Sequence, residues 1–118
     1  MTILIVDDDP GWIKILSRVL TSLQYQVCAA STWAAAMAAA KLRRPDCILL
    51  DCSLEGGTAA GFCAALKADA ELEKIPVIVL SGAEEERTSC GADRFILKGS
   101  HFSEITGAVA EVLKKTEG

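Results

Sequence analysis

Ile3-Leu4-Ile5-Val6-Asp7-Asp8-Asp9 is an apolar run of strand length that stops on three acids. Nothing polar interrupts Ile3 to Val6, as expected of a strand covered on both faces. Three further runs end in the same manner: Cys47-Ile48-Leu49-Leu50 on Asp51, Val77-Ile78-Val79-Leu80 on Ser81, and Phe95-Ile96-Leu97 on Lys98. Parallel strands point their carboxyl ends one way, and open α/β sheets bind ligands beyond those ends. Four neighbouring parallel strands would gather acids, a hydroxyl and an ammonium in one cleft. Crowded carboxylates repel one another unless a hard cation joins them, and Mg2+ takes one or two carboxylates with waters and phosphate oxygens. Ser and Lys are natural donors to a phosphoryl group. The pattern reads as a carboxylate that accepts phosphate beside a metal.

Helical patterns separate the runs. Pro10 suits a first helical turn, with Asp9 as its N-cap, and Trp12, Ile15, Leu16, Val19, Leu20 and Leu23 follow at helical spacing. The alternation over residues 24–29 predicts a strand. Ser31 or Thr32 caps a helix from Trp33 to Leu42, closed by Pro45. A third helix covers Ala60 to Lys67, with a possible extension to Leu72. Ser103 can cap a last helix with Ile105, Val109, Val112 and Leu113 on its apolar stripe. Strands are expected at residues 46–50, 77–80 and 93–97. Alternating strands and helices imply a parallel sheet with right-handed crossovers.

The chain has 118 residues, half of them apolar, which fits one globular domain. A net charge of −4 argues against direct nucleic-acid binding. Lys41-Arg43-Arg44 reads as cations on a helix C-terminus. No apolar stretch is long enough to span a membrane, and Met1-Thr2 leads directly into a strand. The five cysteines show no metal spacing, and an odd count fits a reducing cytoplasm. His101 is read as a surface or capping residue, and Trp12 and Trp33 as helix–sheet packing. Gly56 to Gly61 has the outer spacing of a phosphate loop, but Phe62-Cys63 stands where Lys-Ser/Thr is required.

Taken in order, these strand-end residues closely resemble the receiver domain of two-component response regulators, over nearly the whole chain. That family has an acidic pair after its first strand, matched by Asp7-Asp8, and a phosphorylated Asp after its third, matched by Asp51. A Ser or Thr before a small residue ends its fourth strand, matched by Ser81-Gly82. A Lys ends its fifth, with an aromatic three residues earlier, matched by Lys98 and Phe95. The resemblance implies one receiver domain, residues 1–118, with a flavodoxin-like, doubly wound five-stranded parallel sheet in the order 2-1-3-4-5. It implies Asp51 as phosphoacceptor, with Asp7, Asp8, Asp51 and the backbone carbonyl of Ser53 around Mg2+. Lys98 would pair with phosphate oxygens, and Ser81 would donate to the phosphoryl group. Ser81 and Phe95 would form the switch, the aromatic pointing inward or outward. The implied partners are a histidine kinase or phosphotransfer protein and a downstream protein target in the cytoplasm. No turnover of an external substrate is implied beyond the acceptor's own phosphorylation and dephosphorylation.

The chain departs from that family in four places. Only nine residues, Gly82 to Cys90, separate Ser81 from Gly91, where receivers usually carry a full helix. The link can span the sheet, because eleven extended residues reach about 36 Å, but a full helix would use up that reach. The fourth helix is therefore expected to be short or absent. Val77, Val79, Phe95 or Leu97 would then be partly uncovered, inviting a homodimer or a target protein onto that face. Gly99 stands where the family has Pro. A cis bond before a non-proline costs about 2.5–4 kcal/mol, so a trans bond is expected. Glu55 replaces a second usual Pro, and the loop to Gly61 is two residues long for the family. Two other functions compete: a degenerate receiver acting only as an interaction module, and a phosphatase using the DxD spacing of Asp7 and Asp9. The phosphatase would need further acids after a late strand.

Overall fold

The computed structural model describes residues 1–51, 59–82, 92–99 and 101–117, with the side chains of residues 59 and 115–117 left aside. Cys52, Ser53, Glu55 and residues 83–91 of the fourth connection, Cys90 among them, lie outside the described residues. The elements run β1 (Thr2–Val6), α1 (Pro10–Ser22), β2 (Gln26–Ala30), α2 (Trp33–Arg43), β3 (Cys47–Asp51), α3 (Ala59–Lys67), β4 (Val77–Ser81), β5 (Arg94–Leu97) and α4 (Phe102–Glu117). The five strands pair in parallel in the order β2-β1-β3-β4-β5, as expected.

Local chemistry sets the helix ends. The Asp9 carboxylate accepts from the Gly11 and Trp12 N–H groups at 3.0 and 3.4 Å, capping α1, with Pro10 in the first turn. Of the two proposed caps for α2, Thr32 serves: its Oγ1 accepts from the Ala35 N–H at 3.1 Å. At the end of α1 the Gln24 N–H donates to the Thr21 carbonyl and the Tyr25 N–H to the Leu20 carbonyl, at 2.9 and 3.2 Å. This is a Schellman closure, with Gln24 in the left-handed region at φ 71°. Residues 24 and 25 are used there, so β2 starts at Gln26 rather than at 24.

Two other boundaries also need correction. Helix α3 stops at Lys67 rather than reaching Leu72, because the Asp69 carboxylate accepts from the Glu71 N–H at 2.8 Å and turns the chain. Ser103 does not cap α4. It lies inside the first turn, and His101 takes the capping role, its Nδ1 accepting from the Ser103 N–H at 3.2 Å.

Each central strand alternates its side chains between two buried layers. Leu4, Val6, Ile48, Leu50, Val77 and Val79 join Ala36, Ala40, Phe62, Leu66 and Leu72 on one face. Ile3, Ile5, Leu49, Ile78, Leu80 and Ile96 join Leu16, Leu20, Ile105, Val109 and Leu113 on the other. Each large aliphatic side chain buried in this way contributes roughly 1.5–3 kcal/mol. Ala36 and Ala40, one helical turn apart and fully buried, let α2 lie close to the sheet. The four side chains expected to be partly uncovered divide into two pairs. Val77 and Val79 are 4% and 0% exposed, within the layer that holds Phe62, Leu66 and Leu72. Phe95 and Leu97 are half-buried.

Candidate functional site

Strand register brings the strand-end residues level. Val6 pairs with Leu50, Asp51 with Leu80, and Ser81 with Leu97. Asp7 and Asp51 each follow a paired residue on neighbouring strands, so they emerge side by side. The Asp7 N–H donates to the Ala30 carbonyl at 3.0 Å, extending the β1–β2 ladder by one bond and fixing where the Asp7 side chain leaves the sheet. Beyond β5, the Lys98 N–H donates to the Ser81 carbonyl at 2.7 Å. The Lys98–Gly99 peptide is trans.

The Lys98 Nζ lies 3.0 Å from Asp7 Oδ2 and 3.3 Å from Asp51 Oδ1. The other Asp7 oxygen accepts from the Asp9 N–H at 2.9 Å. Asp7, Asp51 and Ser81 are only 1%, 2% and 1% exposed, whereas Asp8 faces solvent. Burial pushes the Asp7 carboxyl above the usual range, and the Asp51 charge adds to this. The Asp9 N–H and Lys98 pull it back only in part. Burial alone would weaken the Lys98 charge, but Asp7 and Asp51 outweigh it and raise the ammonium's pKa. The two partners therefore differ in kind: Lys98 is held charged by its neighbours, while Asp7 is charged against the cost of leaving water.

Asp7, Asp8 and Asp51 each present a carboxylate oxygen, and the three oxygens lie within 4.8 Å of one another. This is an all-oxygen donor set with two buried members, which suits a hard divalent cation that keeps some of its waters. Ser53, expected to add its carbonyl, lies outside the described residues. Asp9 is engaged in capping α1 and stands apart from this set. Phe95 packs, half-buried, against the layer containing Val77 and Val79. His101 serves α4, as its isolated position suggested.

Trp12 has a place that its sequence position did not disclose. Its ring stacks on Phe102 at 5.6 Å and 21°, and the Lys98 Nζ lies 5.5 Å from the ring centroid. The signal available was its position in the first turn after the acidic run, which leaves its side chain near the strand ends. Trp33, by contrast, packs on Phe62 at 5.4 Å, as expected.

A doubly wound parallel sheet thus collects three carboxylates, a buried serine and a lysine at its carboxyl edge. Residues 3–110 match the family model described as the response regulator receiver domain, and the chain belongs to that family. The phosphate regulon regulator PhoB of Pseudomonas aeruginosa is 32% identical over 98% of this chain and 52% of its own length. The chain thus spans about half the length of that curated relative. The signal receiver domain of a histidine kinase from Syntrophus aciditrophicus is 29% identical with a TM-score of 0.89, over 97% of this chain and 90% of that one. The Thermotoga maritima response regulator TrrA, in complex with Mg2+ and BeF, shares the fold at a TM-score of 0.86 and 22% identity, over 94% of this chain and 97% of its own. Receiver domains are signalling modules that work with histidine kinases or phosphotransfer proteins. No helix among the described residues is long and apolar enough to cross a membrane.

Proposed function

We propose that this chain is a cytoplasmic phosphoacceptor that takes a phosphoryl group onto Asp51 from a histidine kinase or phosphotransfer protein. The phosphoryl group would then change the surface presented to a downstream protein. The observation that carries this reading is the Lys98 ammonium bridging two buried carboxylates, with Asp8 close beside them. The donor set fits Mg2+, and the Mg2+–BeF complex of the Thermotoga relative supports the choice. Asp7, Asp8, Asp51 and the Ser53 carbonyl would hold the ion. When bound, it supplies charge neutralisation, so that a phosphoryl oxygen can approach the acids. Asp51 is the nucleophile, its carboxylate oxygen forming the new bond to phosphorus. Lys98 meets the equatorial oxygens as a point charge. Ser81 donates to the arriving group, and Phe95 responds to that change.

Incubation with Mg2+ and acetyl phosphate, read by intact mass, tests the reading. The mass should rise by one phosphoryl group, labile to hydroxylamine, and the gain should vanish in Asp51→Asn. A wild type left unmodified by donors that label other receivers would sink the acceptor role and leave an interaction module.

A further inference from the structure

Three groups surround the Lys98 ammonium: Asp7, Asp51 and the Trp12 ring. A cation within about 6 Å of an indole face is attracted to it, more strongly where water is excluded. The Lys98 side chain is 26% exposed, so that condition is largely met. The Trp12 Nε1 is buried and has no hydrogen-bond partner among the described residues. Ring contacts rather than a polar anchor therefore hold the indole, with Phe102 stacked against it from the start of α4. We propose that Trp12 is a positioning residue for Lys98. Its π face holds the ammonium between the carboxylates and the cleft, poised for a phosphoryl group at Asp51, while Phe102 backs the ring.

The inference rests on the Asp51 acceptor reading. With acetyl phosphate as donor, an Asp51 carboxylate oxygen forms the new bond to phosphorus. The bond from phosphorus to the acetyl oxygen breaks, and acetate leaves with the electron pair. Lys98 balances the charge on the transferring group, so its placement sets the rate of this step rather than the affinity for the ion.

The test measures phosphorylation rate against acetyl phosphate and against Mg2+ in Trp12→Leu and Trp12→Phe. The same rates are measured with fluorinated tryptophans at Trp12 in a Trp33→Phe background, which removes the chain's other tryptophan. Trp12→Leu should lower the maximal rate about three- to tenfold, with Trp12→Phe recovering most of it. The Mg2+ half-saturation should stay within about twofold, because an aromatic face does not ligate the ion. Stepwise fluorination keeps the ring's shape but drains its negative face, and the rate should fall with each step. A labelled wild type whose rate ignores fluorination, or variants that lose Mg2+ affinity in proportion to rate, would overturn the positioning role alone. An unlabelled wild type would overturn both this role and the acceptor reading.

Discussion

Asp7 has a raised pKa because burial outweighs its two hydrogen-bond donors. A carboxylate whose folded pKa lies above its unfolded value of 3.8 stabilises the fold most below that value. This contribution is lost as pH rises through the folded value. Metal-free protein should therefore lose stability across that window, and Asp7→Asn should remove this part of the slope. Urea melts of the two proteins with a chelator present, from pH 4 to pH 7, check it; parallel curves would contradict it. Mg2+ should restore the wild type at neutral pH and do little for Asp7→Asn. Asp8 is exposed, so its removal should not disturb packing. We expect Asp8→Ala to fold normally and to lose Mg2+ affinity by roughly tenfold or more, as measured by calorimetry. The acids, Ser81 and Lys98 were legible because each directly ends an apolar run, and strand direction alone sends them to one edge. Trp12 was not, because its contact with Lys98 joins the start of α1 to the end of β5, a meeting set by tertiary packing.

At the scale of elements, Gln24 occupies the position after α1 where glycine is usually found. An L-residue there carries a steric cost that glycine escapes. Gln24→Gly should raise stability by about 0.5–1 kcal/mol. The urea midpoint should increase with no change in slope; a lower midpoint would mean that the Gln24 side chain makes a compensating contact. The sequence missed this turn because the alternation over 24–29 looks like strand from its first residue. Hydrogen bonding to the end of α1 claims residues 24 and 25 before the sheet can. Asp9 was recognisable as a cap because it directly precedes a helical pattern, and Thr32 as one of two candidates with Ser31 for the same reason. Serine is the commoner capping residue, which favoured Ser103 as the cap of α4, yet the His101 Nδ1 accepts from the Ser103 N–H instead. The α3 extension to Leu72 followed the apolar pattern correctly: Leu72 is fully buried. A turn around Asp69 delivers it there instead of a helix.

For the molecule as a whole, the two-layered core and the parallel sheet followed from unbroken apolar strands alternating with helices, and the strand order from the resemblance to receiver domains. The patch proposed from the short fourth connection followed only in part: Phe95 and Leu97 are half-buried, whereas Val77 and Val79 are not exposed. Val77 and Val79 are buried in the layer shared with α3 and Leu72. The layer on the other face of the sheet encloses Cys47, whose thiol is pushed up to about 12 by burial, aided by the charges of Asp93 and Asp46. Its unfolded value is 9.0, so the fold keeps the full benefit of the neutral thiol below pH 9. That benefit is lost as pH rises toward 12. Cys47→Val should flatten the alkaline loss of stability between pH 8.5 and pH 10.5 in urea titrations. Native Cys47 should also resist alkylation at pH 8 while reacting freely in denaturant. Equal alkaline slopes in the two proteins would assign the loss to other groups.

Strand β1 sits inside the sheet, bonded on one side to β2 and on the other to β3. During synthesis β1 leaves the ribosome well before β3, since residues 7–46 must follow it first. At about 5–20 residues per second, that delay lasts roughly two to eight seconds. Throughout it, Ile3 to Val6, which the finished sheet buries almost completely, have only β2 to pair with. The nascent chain is therefore most open to chaperone capture before Asp51 emerges, and slow codons between α2 and β3 should lengthen that exposure and lower the soluble yield.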